Sequence, residues 1–385
     1  MLKMLTACTS EIDEVEAAVA EILEQLDLDG GLLTNSVGIL SCFSEFVDTG
    51  VVEALCAKLP FDVVGETTLG NATAVSCGLE QLSLSVLTSD DLSFSTAFSA
   101  PIDGQNWADA IDDAYANARA KLPGDPALVL AFAPMAAGVG GERMLARLDA
   151  CSGAAPVYGG ISCDHTMGYR ESRTIWNGRA ERKSMAIALV HGAIEPRFFI
   201  VSISENKLQK QKAVITDAEG ETIKTVNGIP FASYLAERGL TIEGGVEATA
   251  SVPFLVGGEG ELPLARALYE TTPEGYGVFG CKMPVGAALW MGSIDYADIL
   301  ETTGGVVREA LDISGTNGIL MFPCLSRSLM LEPNADHEMK KVMGIIGDTV
   351  PFHLAYVGGE MCPTPSSEGV PRNSFHNFTY TVCTF

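Results

Sequence analysis

The sequence contains one order of elements three times: an amphipathic helix, a short apolar strand, a second helix, and a strand that ends at glycine. In the first copy, apolar side chains recur at helical spacing over residues 12–26, and an apolar strand follows over 37–42. A second helix over 50–59 then leads to a strand over 61–64, which Gly65 ends. Such a repeat favours copies that pack side by side, each with helices covering its strands.

The second and third copies keep the same order and the glycine at the end. The second copy predicts a helix marked by Trp107, Ile111, Tyr115 and Leu122, a strand over 128–132, a helix over 141–149 and a strand over 157–158 before Gly159 and Gly160. The third predicts a helix over 299–311, a strand over 319–322, a helix over 334–346 and a strand over 352–357 before Gly358 and Gly359. The copies are too long and too far apart for an open solenoid, so we expect globular domains.

Further strand patterns lie between the copies, at residues 79–87, 184–190, 198–203 and 375–382. Strands added to helix–strand units indicate mixed β-sheets covered by helices, and hence an α/β (α+β) fold. A chain of 385 residues is long for a single core, which favours two domains. The charged stretch 204–224 is the best candidate for their junction, which predicts domains over 1–222 and 223–385 with an uncertainty of about 20 residues.

Charge and composition exclude several classes of protein. The sequence has 49 acidic against 24 basic residues, a net charge of −25, so nucleic acid and anionic membranes would repel it. The apolar stretch 127–139 contains Pro134 and Gly138 and is too short to span a bilayer, and residues 1–5 lack the apolar core of a signal peptide. The ten cysteines are scattered without a secreted framework or zinc-ligand spacing, which indicates reduced thiols in the cytoplasm and no metal.

Polar residues gather where apolar strands end near the C-terminus. Cys324 follows the strand over 318–323, and Arg327 comes three residues later, where its charge could favour a thiolate. Arg327 could instead hold a ligand carboxylate through two parallel N–H bonds. Glu360 follows two glycines and could bind a ligand amine or hold Arg327 in place.

Three further residues complete the predicted ligand site. His376 and Asn377 precede a strand, and Tyr356 supplies a phenol from the neighbouring strand. Each candidate also has a structural interpretation: Cys324 as a buried thiol, Arg327 in a salt bridge, His376 as a packed ring and Asn377 as a turn cap. The run 162–165 (Ser-Cys-Asp-His) is a weak candidate for a nucleophile because adjacent side chains point apart.

Several segments resemble the FIST family when they are taken together and in order. They are residues 63–68 (Val-Val-Gly-Glu-Thr-Thr), 214–223, 226–231, 318–327, 351–360 and 374–382. The sequence departs from the family pattern at Asn71, where an acidic residue usually follows the glycine. The resemblance implies a FIST N-like domain followed by a FIST C-like domain, and a sensory module that recognises small metabolites such as amino acids.

We therefore expect a cytoplasmic small-molecule sensor that signals through a separate protein partner and needs no cofactor. Its predicted ligand site comprises Cys324, Arg327, Tyr356, Glu360, His376 and Asn377. The alternatives are a thiol-dependent hydrolase or transferase, with Cys324 as nucleophile and His376 as base, and a scaffold whose pocket has no ligand.

Overall fold

The computed structural model describes residues 2–136, 138–153, 155–166, 168–204, 207–208, 212–240, 252–257, 263–365 and 371–385. In these residues the strands form four sheets, and three of the sheets have six strands each in the same arrangement. Each of the three is built from one copy of the repeated unit plus a hairpin from another copy.

The first unit covers the chain up to Ser89. Its elements are β1 (Leu2–Thr9), α1 (Val15–Leu26), α2 (Leu28–Gly31), β2 (Asn35–Cys42), α3 (Glu45–Asp48), α4 (Val51–Cys56), β3 (Asp62–Thr67), β4 (Asn71–Thr73), β5 (Cys77–Gly78) and β6 (Leu82–Ser89). Strands β2 and β3 are parallel, and β6 returns antiparallel between β1 and β2.

The second unit repeats this order. Its elements are β7 (Ser93–Phe98), α5 (Trp107–Arg119), β8 (Leu128–Ala133), α6 (Gly141–Ser152), β9 (Val157–Ile161), β10 (Thr174–Trp176), β11 (Arg179–Glu181) and β12 (Ala186–His191). Strands β8 and β9 are parallel, and β12 lies antiparallel between β7 and β8.

The third unit begins with β13 (Arg197–Val201), and a separate sheet is inserted before its first helix. The inserted elements are β14 (Ala213–Glu219), β15 (Thr222–Val226), β16 (Ile229–Pro230), α7 (Phe231–Ala236), β17 (Phe254–Gly257), β18 (Leu264–Arg266), β19 (Leu268–Thr271), β20 (Gly277–Phe279) and β21 (Ala288–Met291). All these strands pair into the fourth sheet, which is antiparallel throughout the described pairings.

The rest of the third unit then follows the common order. Its elements are α8 (Tyr296–Leu311), β22 (Ile319–Pro323), α9 (Leu325–Met330), α10 (His337–Ile346), β23 (Phe352–Ala355), β24 (Glu360–Thr364), β25 (Arg372–His376) and β26 (Tyr380–Thr384). Strands β22 and β23 are parallel, and β26 lies antiparallel between β13 and β22.

The three units are joined in a closed ring because each gives a hairpin to a neighbour. Strands β4 and β5 of the first unit extend the third sheet, β10 and β11 of the second extend the first, and β24 and β25 of the third extend the second. We call this arrangement the three-unit ring. The carboxyl ends of the parallel strands β3, β9 and β23 lie next to one another in this ring.

The alternation of side chains explains how each sheet is buried on both faces. In β8, Leu128, Leu130 and Phe132 enter a core shared by all three sheets of the ring. Val129 and Ala131, on the other face, pack under α5 and α6 in a core that extends to the fourth sheet. A parallel pair covered on both faces requires such a continuous apolar run.

The predicted α/β class and the repeated unit are confirmed, with element bounds shifted by a few residues. One prediction is wrong in detail: residues 375–382 do not form one strand. The chain turns at Phe378, whose φ of 57° is left-handed, so β25 joins the second sheet and β26 joins the third. The domain division at 222/223 stays a prediction, and residues 205–206 and 209–211 of its predicted junction lie outside the described residues.

Candidate functional site

The ends of β3, β9 and β23 are bonded to one another around the ring axis. The backbone N–H of Cys163 donates to the carbonyl of Thr67 at 3.1 Å, and that of Gly358 donates to the carbonyl of Ile161 at 2.7 Å. The Cys163 thiol donates to the carbonyl of Tyr356 at 3.2 Å. The loops that leave these strands are therefore held together at one point, as the carboxyl ends of strands in ligand-binding α/β proteins often are.

A small cavity lies beside this junction, with a volume of about 40 Å³. It is lined by Leu69, Asp164, His165, Thr166, Tyr169, Ala267, Leu268, Tyr269, Cys324, Leu325, Ser326, Leu329, Gly358, Asn377 and Phe378. We call it the axial cavity. It has walls from all three units of the ring, and the fourth sheet covers it with residues 267–269. Its volume has room for about three ordered water molecules.

Cys324 lies on the cavity wall. It directly follows strand β22 and forms an isolated β-bridge with Val357. Only 2% of the residue is exposed. Burial and the nearby Glu360 raise the pKa of the thiol well above its usual range, although hydrogen bonds from Ser326 and from the backbone of Phe378 act in the opposite direction. Cys324 is therefore a neutral thiol at physiological pH.

Glu360 is the most unusual polar residue near the cavity. Its side chain is fully buried, and its Oε2 accepts hydrogen bonds from the backbone N–H of Thr379 at 3.2 Å and from the hydroxyl of the same residue. Its Oε1 has no hydrogen-bond partner with acceptable geometry among the described residues. Burial raises the pKa of Glu360 to about 8, against the opposing effects of Thr379, the neighbouring Cys324 thiol and Arg327.

Glu66 is a second buried carboxyl without a partner. It follows Gly65 in β3 and is fully buried, and neither of its side-chain oxygens has a hydrogen-bond partner among the described residues. Burial raises its pKa well above the usual range for a glutamic acid. Glu66 is close enough to Cys163, at the ring junction, to raise the pKa of that thiol. Glu360 therefore keeps its proton over much of the neutral range, and burial shifts the pKa of Glu66 in the same direction.

Arg327 and Tyr356 are brought together, but on Glu338 rather than on Glu360. The guanidinium Nε and Nη2 of Arg327 lie 2.9 Å from Glu338 Oε1, and the Tyr356 hydroxyl donates to Glu338 Oε2 at 2.8 Å. Nη2 also donates to the hydroxyls of Thr302 and Thr303 in α8. These side chains form a buried network behind the cavity wall, and a ligand role for Arg327 and Tyr356 stays a prediction.

His376 and Asn377 are neighbours in sequence with different surroundings. The His376 ring is buried, its Nε2 lies 3.1 Å from the carbonyl oxygen of Cys362, and burial lowers its pKa to about 3. Asn377 lines the axial cavity, and its Oδ1 accepts the backbone N–H of Ala267 at 3.2 Å. Of the six predicted site residues, Cys324 and Asn377 line the cavity and Glu360 lies against Cys324.

Sequence reasoning missed most of the cavity wall. The connection that follows β9, residues 162–173, is much longer than the equivalent connections 68–70 and 356–359, and it supplies Asp164, His165, Thr166 and Tyr169. Asp164 organises this loop, since its carboxylate accepts from Thr166 and from the backbone of Glu171. Unequal loop length among three similar units was the signal that could have identified it.

The described part of the chain shows neither a candidate metal site nor a candidate membrane-spanning helix. It contains no group of three or more His, Cys, Asp or Glu residues placed to hold a metal ion. Among its helices, none combines the length and apolarity needed to cross a membrane.

The fold and the cavity define a two-domain α/β protein with a small, mostly apolar cavity at the meeting point of three similar units. Residues 36–229 match the FIST N domain, and residues 231–363 match the FIST C domain. The chain therefore belongs to the FIST family, whose domains are sensory signal-transduction modules.

Other comparisons add little. No protein of curated function matches the chain in sequence. Among solved structures, the cyanuric acid hydrolase of A. caulinodans is similar over 50% of this chain and 70% of the hydrolase, with 11% identity and a TM-score of 0.28. A likeness this remote carries no argument about fold or function.

Proposed function

We propose that this protein senses a small amino acid, or an amine of similar size, that binds in the axial cavity. The observation that carries the proposal is Glu360: a fully buried carboxyl behind the cavity wall, with one oxygen that has no hydrogen-bond partner of acceptable geometry, next to the Cys324 thiol that lines the cavity. A buried polar atom without a partner is costly, and a ligand donor that reaches it would remove that cost. A ligand ammonium is such a donor.

Other groups on the wall suit the opposite end of an amino acid. Ser326, Asn377 and His165 line the cavity and can donate hydrogen bonds to a carboxylate. No lysine or arginine is among the described lining residues, because Arg327 is directed to Glu338. The carboxylate would thus be held by neutral donors or by His165, and the ammonium by Glu360.

The size of the cavity limits the ligand to a few heavy atoms. Most of the lining is apolar, with Leu69, Leu325, Leu329 and Phe378 around the polar groups. A ligand of about three heavy atoms, such as ethylamine, fits this volume, whereas an amino acid such as alanine, which is about twice that size, requires residues 267–269 of the fourth sheet to move. Such a movement would also provide an output, because the fourth sheet is a separate layer that another protein could bind.

The hydrolase alternative has weaker support. A nucleophilic thiol needs a nearby base or a lowered pKa, whereas the pKa of Cys324 is raised by its surroundings. The His376 ring is bonded to a backbone carbonyl and has a pKa of about 3, which makes it a poor base at neutral pH. We also propose a cytoplasmic location, which fits the ten free cysteines and the strongly acidic composition.

A thermal-shift panel of small amino acids and amines tests the proposal. A ligand that binds only the folded protein raises the melting temperature, and the rise grows with the logarithm of its concentration above Kd. We expect Ala267→Phe, which fills the cavity from the fourth sheet, to abolish the shift. Ala232→Phe, on an exposed face of α7, is the matched control and should keep it. An equal shift in Ala267→Phe and wild type would place the ligand elsewhere.

A further inference from the structure

A second and larger cleft lies between the fourth sheet and helix α6 of the second unit. It has a volume of about 820 Å³ and is bounded by α6, β17, β18 and β25. Its charged lining residues, among those described, are Arg143, Arg266, Lys282, Arg372, Glu142 and Asp149. Four cations against two carboxylates make it a basic cleft in a chain whose net charge is −25.

The two carboxylates are already bonded within the protein. Glu142 Oε2 accepts the backbone N–H of Lys282 at 2.7 Å, and Asp149 Oδ1 accepts the side-chain amide of Asn373 at 2.6 Å. Hydrogen bonds of this kind fix the two acids against the cleft wall. Even with full charge, the two carboxylates offset only two of the four positive charges that line the cleft.

Arg266 gives the cleft a rigid cation. The residue is only 6% exposed, and its Nη1 donates to the carbonyl of Phe375 at 2.6 Å. Its Nη2 lies 4.0 Å from Glu142, too far for a hydrogen bond, although the charges still attract. A guanidinium fixed in this way is suited to an anion because little side-chain entropy is lost on binding.

The other three cations surround this point on exposed positions. Lys282 and Arg372 are exposed lining residues of the cleft, in the connection between β20 and β21 and at the start of β25. Arg143 stacks over the ring of Trp107, with 4.8 Å between its guanidinium carbon and the ring centroid. This contact holds the Arg143 side chain in one orientation beside the cleft.

We propose that this cleft is a second ligand site, which binds a small organic anion with more than one negative charge. Organic phosphates and polycarboxylates share this chemistry, since guanidinium and ammonium groups bind both through charge-assisted hydrogen bonds. The acidic surface of the rest of the molecule repels such anions, so the basic cleft also directs them to this position. The axial cavity differs from the cleft, because its described lining residues include Asp164 and neither lysine nor arginine.

Pyrophosphate and citrate are suitable probes, each titrated into the full chain by calorimetry at constant ionic strength. We expect saturable binding of at least one of them, and the stronger of the two distinguishes a phosphate ligand from a carboxylate ligand. In the double variant Lys282→Gln/Arg372→Gln, Kd should rise roughly tenfold or more, the loss expected when two charge-assisted contacts are removed. Both substituted residues are exposed, so the fold should remain intact.

The matched control is Arg182→Gln/Lys183→Gln, which removes the same charge from two exposed residues outside the cleft. Its Kd should stay within about twofold of wild type, since distant surface charges are screened by salt. Leu329→Phe, which changes the wall of the axial cavity far in sequence from the cleft residues, should bind the anion normally, which separates the two sites. The absence of saturable binding in wild type, or an equal loss in the control variant, would overturn the proposal.

Discussion

Arg327 and Glu338 form an ion pair in which neither side chain is exposed to solvent, with 2.9 Å between Nη2 and Oε1. The pair links α9 to α10, and Tyr356 and Thr303 complete the hydrogen bonds of the carboxylate. Removing one partner of a buried ion pair destabilises the folded protein, because the other partner is left as an uncompensated charge in the core.

We predict that Glu338→Ala lowers the free energy of unfolding by about 3–5 kcal/mol, because it leaves the Arg327 guanidinium buried without its anion. The double variant Arg327→Met/Glu338→Leu should recover much of this loss. Urea denaturation measures both. Lys340→Ala, which breaks an exposed pair with Asp336 in the same helix, is the control and should have little effect. If all three variants lost a similar amount of unfolding free energy, the buried ion pair would not be the source of the stability.

This pair also shows where sequence reasoning reached its limit. The repeated unit and its strands followed from apolar periodicity, and the strand ends pointed to Cys324 and Asn377, which line the axial cavity. The partner of Arg327 did not, because Glu338 lies on a helical face and only the packing of α9 against α10 brings the two together. The sheet inserted after β13 was missed for a similar reason, since its short strands carry weak alternation and pair with one another over long separations.

Gly65 lies where two parallel strands of the three-unit ring come close together. A Cβ at Gly65 would lie 1.8 Å from the carbonyl oxygen of Leu40, and one at the equivalent Gly159 would lie 2.0 Å from that of Ala131. At these two positions the neighbouring parallel strand therefore leaves no room for a side chain. Gly65→Ala should lower the free energy of unfolding by about 3 kcal/mol or more, a loss typical of forced backbone movement in a core.

The control for this variant is Gly344→Ala, in the helix α10, where an added Cβ meets no atom within 4 Å. It should raise stability by about 0.5–1 kcal/mol, since alanine is the better helix former. Denaturation of the two variants side by side tests the close approach of the strands, and equal stability of Gly65→Ala and wild type would contradict it.

The pKa of Glu360, raised to about 8, predicts how stability changes with pH. Between its unfolded value of about 4.5 and 8, the folded protein keeps a proton that the unfolded chain has lost, so the free energy of unfolding falls as pH rises through this window. Glu360→Gln cannot ionise and should lose this dependence. We expect the stability of the variant relative to wild type to increase from about pH 5 to about pH 8.

Glu66→Gln should change the pH dependence in the same direction, because burial also raises the pKa of Glu66. The exposed Glu16→Gln is the control, and its stability relative to wild type should not depend on pH in this way. Parallel stability curves for wild type, Glu360→Gln and Glu66→Gln would mean that both carboxyls are ionised in the folded protein.

Cys324 should react slowly with thiol reagents in the native protein. Cys324 is only 2% exposed, and the pKa of its thiol is raised. Cys77, in contrast, is partly exposed. With a small methylating thiosulfonate, Cys77 should be modified first and Cys324 much later, and an axial-cavity ligand should slow the second step further. Mass spectrometry of peptides from timed samples measures both rates. Modification of Cys324 as fast as Cys77 would contradict its burial.

The most direct test of the axial site is calorimetry with L-alanine as ligand at about pH 6 and about pH 8, with ethylamine and propionate as partial analogues. An ammonium bound at Glu360 favours the carboxylate, so binding should release a proton and tighten as pH rises toward the pKa of about 8. Glu360→Gln should weaken binding about tenfold or more and remove its pH dependence. Failure of alanine and ethylamine to bind, or unchanged affinity in folded Glu360→Gln, would contradict the account.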